Sequence, residues 1–194
     1  MVTTELVTTE LAQEAGNPRG PECEIFTRKS DIDEIAESYN NLGVTYHVHG
    51  MVEKAINKYK QALMMKPSLT EAINNLGAAY YYIGEVDLAI EQWKEALSID
   101  SSLAQVHSNL GVAYKAQGNL NRAIAEFEEV LDIDPTDADT NFNLAEIYQA
   151  RGDLLKALGA YTKFIELAPL EDSYHIKVAE EIISSLKGEA LSIG

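Results

Sequence analysis

The sequence of 194 residues predicts an all-α fold, an α-solenoid of four tandem helix-turn-helix units followed by a C-terminal capping helix. Three observations support this prediction: a strict 34-residue period, apolar residues spaced as on helix faces, and glycines that recur where helices should end. A fixed period of this length is typical of repeat architectures, in which each unit buries its apolar face against its neighbours.

The dipeptide Asn-Leu defines the period. Four of its copies are spaced by 34 residues, so units that start six residues before the leucines of these copies run 36–69, 70–103, 104–137 and 138–171. The units cover 136 of the 194 residues in one unbroken register. The four copies in this register are Asn41-Leu42, Asn75-Leu76, Asn109-Leu110 and Asn143-Leu144.

Positions 7, 8, 11 and 15 of each unit predict a first helix and its end. Leucine at position 7 and tyrosine at position 11 lie one turn apart on one helix face, and the small residue at position 8 allows a neighbouring helix to come close. Glycine at position 15 can adopt the left-handed conformation that ends a helix. The small residues are Gly43, Gly77, Gly111 and Ala145, the tyrosines are Tyr46, Tyr80, Tyr114 and Tyr148, and the terminal glycines are Gly50, Gly84, Gly118 and Gly152.

Positions 20, 24 and 32 predict a second helix and the turn that follows it. Alanine at position 20 and an aromatic residue at position 24 lie on one apolar face. Proline at position 32 stops the helix, with Ser101 as the exception. These columns hold Ala55, Ala89, Ala123 and Ala157, then Tyr59, Trp93, Phe127 and Tyr161, then Pro67, Pro135 and Pro169.

This pattern resembles that of the tetratricopeptide repeat family, Trp-x2-Leu-Gly-x2-Tyr followed by Ala-x3-Phe and Pro. The chain departs from it at position 4, where Tyr39, Ile73, His107 and Asn141 replace tryptophan. Because His107 and Asn141 are polar, we expect looser helix packing around them. The resemblance implies that the helix pairs form a right-handed superhelix and that the first helix of each pair lines its concave groove.

The two ends of the chain differ from the repeats. Residues 172–187 predict a capping helix that ends at Gly188, followed by a frayed tail over 188–194. Ser30 and Asp33 resemble a capping box, so the first helix is expected to begin near residue 31 and the repeat domain to span 30–171. The apolar stripe of the capping helix consists of Tyr174, Val178, Ile182 and Leu186.

Residues 1–29 are predicted to be a disordered acidic tail, because the segment Asn17-Pro18-Arg19-Gly20-Pro21 breaks any helix. The alternative is a docking segment that becomes ordered on a partner. Its anchors would be Leu6, Leu11 and Phe26.

The formal net charge of -16 limits the classes of partner. An acidic surface repels phosphate, which argues against nucleic acid and anionic lipid and favours basic protein segments. The alternative is that the charge serves solubility alone. A single cysteine, Cys23, allows no internal disulfide, and we find neither an 18-residue apolar run nor a secretory signal, so the cytoplasm is the expected location.

The sequence offers no convincing catalytic, cofactor or metal site. His47 and His49 are two residues apart, a spacing that turns them to different sides of a helix, and His107 and His175 stand alone. We find no phosphate-binding or dinucleotide-binding glycine motif. The sequence therefore predicts a protein that is not an enzyme and that needs no cofactor.

The strongest candidate site is the asparagine at position 6 of every unit: Asn41, Asn75, Asn109 and Asn143. A carboxamide offers donors and an acceptor that match a peptide backbone, so a row of them can hold an extended segment by its main chain. This row of asparagines resembles the asparagine ladder in the repeat region of the O-linked N-acetylglucosamine transferase. The alternative is that asparagine merely helps helix packing at this position.

By the same resemblance, positions 2, 5, 6, 9, 12 and 13 face the groove. A subgroup of the family binds the C-terminal carboxylates of heat-shock chaperones through cations at positions 2, 5 and 6, and those cations are missing here. An extended segment with basic and aromatic side chains therefore suits the groove better. The acidic groove residues are Glu37, Glu71, Asp139 and Glu146, the neutral ones are Asn40, Asn74, Gln105 and Ser108, the aromatic ones are Tyr81, Tyr82 and Phe142, and Lys115 is basic.

These observations predict an interaction module, an adaptor or assembly factor that binds an extended protein segment in its groove. The alternative is a permanent structural subunit of a larger complex or a self-assembling scaffold. A regulatory module that accompanies a catalytic domain stays open as well.

Overall fold

The computed structural model describes residues 29–169 and 172–193, and every regular element within these ranges is an α-helix. The all-α prediction is therefore confirmed for the described residues. None of these helices is long and apolar enough to cross a membrane. The helices are α1 Lys29–Val48, α2 Val52–Met65, α3 Thr70–Tyr82, α4 Val86–Ile99, α5 Ala104–Ala116, α6 Leu120–Ile133, α7 Ala138–Ala150, α8 Leu154–Leu167 and α9 Ser173–Ile193.

The chain forms two compact units, Met1–Ala72 and Ile73–Gly194, with the boundary inside α3. In the first unit α1 packs against α2. In the second unit each helix from α5 to α9 packs against the one before it, and α5 also reaches α7.

The glycine at position 15 ends the first helix of each pair, as the sequence predicts. All four have a positive φ, between 73° and 86°. The N–H of the following residue then donates to the carbonyl of the position 11 tyrosine, at 2.9 Å for Met51 and 2.8 Å for Asn119. Because glycine has no Cβ, this left-handed turn forms without strain. The four glycines are Gly50, Gly84, Gly118 and Gly152.

The small residue at position 8 lies against the aromatic ring at position 24 of the same helix pair. A Cβ built on Gly43 would lie 2.5 Å from Tyr59 Cε1, and one built on Gly111 would lie 2.6 Å from Phe127 Cε1. The rings of this column are the largest fully buried side chains: Trp93, Tyr59, Tyr161 and Phe127. Close contact at position 8 therefore joins the two helices of one pair.

The C-terminal helix is longer than predicted. It runs from Ser173 to Ile193, so the prediction that Gly188 ends it is wrong. The 34-residue register places Leu186 in the column where the four units have their terminal glycine, and Leu186 is buried. A glycine in a helix interior costs only about 0.5–1 kcal/mol relative to alanine, so Gly188 weakens the helix without stopping it.

The N-terminal helix also differs from the prediction, because Ser30 lies inside α1 and is not its N-cap. Its hydroxyl donates to Asp31 Oδ1, at 3.2 Å. Residues 1–28, with Leu6, Leu11, Cys23 and Phe26, lie outside the described part of the chain, and Lys29 is the first residue of α1.

The two polar residues at position 4 are buried, and the expectation of looser packing around them stays a prediction. His107 Nδ1 lies 2.8 Å from Glu126 Oε2, and its Nε2 lies 3.2 Å from the carbonyl oxygen of Ser101. Asn141 donates to the carbonyl of Asp137, at 2.8 Å. Buried polar groups cost little when they are hydrogen-bonded, and both residues meet that condition.

Candidate functional site

Two neighbouring first helices of the second unit are joined through their predicted groove positions. Asn109 Nδ2 donates to Asn74 Oδ1 at 2.9 Å, across 35 residues of sequence. Asn109 Oδ1 accepts a hydrogen bond from Gln105 Nε2, at 3.3 Å. The predicted groove residues of α3 and α5 therefore meet side by side on one surface.

The same surface continues from α5 to α7 through Lys115. Its ammonium donates to Asn143 Oδ1 at 2.6 Å and to Glu146 Oε2 at 2.8 Å. Asn143 Nδ2 donates to the carbonyl of Asp139, at 3.0 Å. Lys115 is the basic residue predicted for the groove, and its charge is already balanced by Glu146 within the protein.

The predicted aromatic groove residues divide between surface and core. Tyr82 is 69% exposed. Tyr81 is partly buried, with its ring 6.0 Å from that of Trp93. Phe142 is not a flat groove surface as predicted, because its ring forms edge contacts with neighbouring helices α8 and α9. Those contacts are with Tyr161 at 5.7 Å, Phe164 at 5.0 Å and His175 at 5.9 Å.

In the first unit, the predicted groove residues are acidic and polar. Asn40 is buried and donates to Glu71 Oε1 at 3.0 Å, so this amide supports the fold and is not open to a ligand. Lys66 lies 3.7 Å from Glu37 Oε1 and 3.6 Å from Asp33 Oδ1. The position 6 residue of this unit, Asn41, is exposed.

Two exposed valines in this unit lie at predicted groove positions but were not among the predicted site residues. Val44 and Val48 occupy positions 9 and 13 of the first repeat, both of them groove positions, and Val48 is 79% exposed. They lie one turn apart on α1, next to Asn41. The position rule alone could have identified them, because it assigns the whole column and not only its polar members.

The remaining position 6 residues are partly buried. Asn75, Asn109 and Asn143 are all in this class, as is Ser108, whereas Asn41 is exposed. Asn41 of the first unit is therefore accessible, and the three asparagines of the second unit are accessible in part.

Acidic groove residues act on two buried tyrosines. Burial raises the pKa of Tyr161 to about 12, and the negative charge of Glu146 contributes. Burial also raises the pKa of Tyr59 to about 12, and the negative charge of Glu71 makes a smaller contribution in the same direction. Both carboxylates belong to the predicted groove residues, so the negative charge of these residues affects buried tyrosines at position 24.

These raised values predict a loss of stability in alkali. A folded-state pKa above the ordinary value of about 10 means that the contribution is complete below pH 10 and disappears as the pH rises towards 12. The free energy of unfolding of the wild type, measured in urea, should therefore fall as the pH rises from about 10 to about 12. Tyr161→Phe should reduce the pH dependence of the free energy of unfolding, whereas Tyr174→Phe, at an exposed position, should leave it unchanged. Equal slopes in all three chains would contradict the assignment.

Two aspartates near the ends of second helices have structural roles. Hydrogen bonds from the Ser102 side chain and backbone lower the pKa of Asp100, and Thr136 lowers that of Asp134 in the same way. These contacts close the turns after α4 and α6. Within the described part of the chain, no group of three or more His, Cys, Asp or Glu side chains could hold a metal ion.

Three helix pairs carry a cation over a tyrosine ring, a feature that the sequence analysis missed. The cation lies eight residues after the position 11 tyrosine, and the distances to the ring centre are 5.3–5.6 Å. Such contacts contribute about 0.5–1 kcal/mol at exposed sites. The pairs are Lys54 with Tyr46, Arg122 with Tyr114, and Lys156 with Tyr148.

Stacked helix pairs with a periodic core and a polar first-helix surface define a helical-repeat scaffold, and sequence comparison identifies which one. Tetratricopeptide repeat models match residues 36–69 and 139–170, and a TPR repeat model matches residues 77–118 and 113–152. The chain belongs to the tetratricopeptide repeat family. No curated protein matches it. The division into four units at the bounds given above stays a prediction.

Solved structures of the same fold confirm the α-solenoid class. The crystal structure of MamA protein is 28% identical, with a TM-score of 0.67 over 82% of this chain and 87% of that one. Pseudomonas aeruginosa pilF is 26% identical, with a TM-score of 0.65 over 71% of this chain and 63% of its own. The first TPR of Spaghetti (RPAP3), bound to HSP90 peptide SRMEEVD, is 23% identical, with a TM-score of 0.60 over 62% of this chain and 95% of that one.

Proposed function

We propose that this protein is a cytoplasmic adaptor or assembly factor that binds an extended protein segment along its first helices and catalyses no reaction. Membership of the tetratricopeptide repeat family supports an interaction module. The observation that most favours the site is the line of contacts from Asn74 to Asn109 and from Lys115 to Asn143. Those contacts join adjacent helices on one polar surface, as a bound segment would require.

Charge indicates the chemistry of the bound segment. Glu146 and Asp139 flank Asn143, and Lys115 is the neighbouring cation, already paired with Glu146. A segment with lysine or arginine would find carboxylates here, whereas an added carboxylate would meet repulsion. Exposed Tyr82 and Val48 offer flat apolar surface to aromatic or aliphatic side chains. A basic, partly aromatic segment is therefore the proposed partner.

The acidic peptide SRMEEVD provides a contrasting probe, because the RPAP3 domain is bound to it. We expect this chain to bind a peptide of equal length with alternating basic and aromatic residues at least about tenfold more tightly than SRMEEVD, a difference of about 1.4 kcal/mol. Fluorescence anisotropy at two salt concentrations would measure it. Stronger binding of SRMEEVD would reject the proposed charge preference.

The asparagine row can be tested by the double substitution Asn75→Ala and Asn109→Ala. Each lost backbone hydrogen bond should cost about 0.5–1.5 kcal/mol, so binding of the basic peptide should weaken about five- to 150-fold in all. Asn57→Ala is a matched control, since Asn57 is exposed on the second helix α2. Because Asn109 also bonds Asn74, urea unfolding must show that both variants remain folded. Unchanged affinity in a folded double variant would exclude the ladder mechanism.

Exposed apolar side chains outside the groove positions favour the second candidate function, a permanent accessory subunit or scaffold. Leu155 on α8 is 81% exposed and Tyr174 on α9 is 72% exposed. Light scattering of the purified chain separates the two candidates. A monomer that binds the basic peptide supports the adaptor, whereas a closed oligomer that depends on Leu155 supports the scaffold.

A further inference from the structure

One face of α1 is exposed, although the residues at three of its four positions are buried in the later repeats. Positions 3, 7 and 10 show this contrast, whereas position 14 is exposed in every repeat. We name the residues at positions 3, 7, 10 and 14 of the first repeat the edge face. Leu42 at position 7 is 39% exposed, whereas Leu110 and Leu144 in the same column are 1% and 5% exposed. In the second unit α5 packs on α4 and α7 packs on α6, which covers this column. The edge face consists of Ser38, Leu42, Thr45 and His49.

The polar atoms of the edge face are bonded to the backbone of α1 itself. Ser38 Oγ donates to the carbonyl of Glu34 at 2.9 Å, and Thr45 Oγ1 donates to that of Asn41 at 3.0 Å. His49 Nδ1 lies 2.7 Å from the carbonyl oxygen of Thr45. Covering the face would therefore leave few polar groups without a partner, and it would bury the Leu42 side chain and the methyl group of Thr45.

The segment directly before α1 has the length and composition to cover this face. It comprises residues 1–28 and contains the sequence Val-Thr-Thr-Glu-Leu twice, which ends in Leu6 and in Leu11. A helix of 20 residues such as α1 is about 30 Å long, and 28 residues can span that length more than twice when extended.

We propose that residues 1–28 dock on the edge face of the same chain and take the place that a preceding repeat would occupy. Leu6 and Leu11 supply the apolar side chains that contact Leu42 and Thr45. The first repeat is then covered on this side, as Leu110 and Leu144 are covered in the repeats that follow it. The proposal is independent of the groove and of what the groove binds.

Thiol labelling of the edge face tests this docking directly. In a Cys23→Ser background, Thr45→Cys places one thiol on the edge face, and Asn57→Cys places one on the exposed side of α2 as the matched control. The labelling rate with Ellman's reagent is compared in the full chain and in a chain that starts at Lys29. We expect Thr45→Cys to react at least about tenfold faster in the shortened chain, an opening free energy of about 1.4 kcal/mol, and Asn57→Cys to react equally in both.

A full-length variant protects the test against misfolding of the shortened chain. Leu6→Asp with Leu11→Asp should expose Thr45→Cys, whereas Thr3→Asp with Thr8→Asp adds the same charge at equivalent points of the duplicated sequence and should not. Equal labelling rates of Thr45→Cys in all chains would overturn the proposal. Protection that grows with protein concentration, together with a dimer in light scattering, would instead assign the edge face to a second copy and would also overturn it.

Discussion

Replacing Phe127 with alanine should lower the free energy of unfolding of the unit Ile73–Gly194 by about 3–5 kcal/mol. The Phe127 side chain is completely buried and lies directly against the backbone of Gly111. Its removal would leave a cavity between α5 and α6, whose surroundings can relax only in part. The total stability of a domain is about 5–15 kcal/mol, so this single change would remove a large share of it.

Trp93 makes this prediction measurable without an added label. It is the single tryptophan of the chain, it is 2% exposed, and it lies in the same unit as Phe127. Its fluorescence and the far-ultraviolet circular dichroism, followed in urea, give the free energy of unfolding. Tyr174→Ala is the control, because an aromatic side chain that is 72% exposed should change stability by less than about 0.5 kcal/mol. A loss below about 1 kcal/mol for Phe127→Ala would show that the aromatic column does not hold the repeats together.

Replacing Gly111 with alanine should destabilise the same unit by about 1–3 kcal/mol. The added Cβ would lie 2.6 Å from Phe127 Cε1 and 2.8 Å from Phe127 Cδ1, closer than carbon atoms can approach. The ring would have to move inside a closely packed core. Helix propensity predicts the opposite sign, because alanine in a helix interior is favoured over glycine by about 0.5–1 kcal/mol. The sign of the change therefore shows which effect is larger.

Gly159→Ala provides the matched control within the same unit. Gly159 also lies inside a helix, but a Cβ at this position would meet no atom within 4 Å. We expect this variant to be more stable than the wild type by up to about 1 kcal/mol. If Gly111→Ala were stabilising as well, the close approach of Gly111 and Phe127 would not be a packing constraint.

The coupling between the two residues can be measured by combining their substitutions. Phe127→Leu shortens the ring side chain and should relieve part of the clash that Gly111→Ala introduces. The double variant should therefore lose less stability than the sum of the single variants, with a difference of about 0.5–3 kcal/mol. Additive losses would place the cost of Gly111→Ala elsewhere in the helix.

The helical repeat and its left-handed turns follow from the amino-acid sequence without reference to the packing between repeats. The period of 34 residues predicted the helix pairs between Lys29 and Leu167, and the glycine column at position 15 predicted the left-handed turns. The glycines at position 8 indicated a close approach of helices, but the aromatic rings that they contact were not predicted from the sequence. These features are local, since a positive φ at Gly118 or an apolar stripe on α6 depends on residues within one unit. A pattern that recurs four times also separates signal from chance.

The contacts of the individual predicted groove residues depend on how neighbouring helices pack. Asn40 is buried and donates a hydrogen bond to Glu71, and Lys115 is paired with Glu146. In addition, the ring of Phe142 packs on helices α8 and α9. The partners in the first two cases come from the next repeat, 31 residues away in each case. A position rule assigns a side chain to a face, but its hydrogen bonds and burial depend on which residue the neighbouring helix places opposite it. The sequence therefore predicts which positions share a surface, and packing between helices decides which amides and charges there are already paired within the protein.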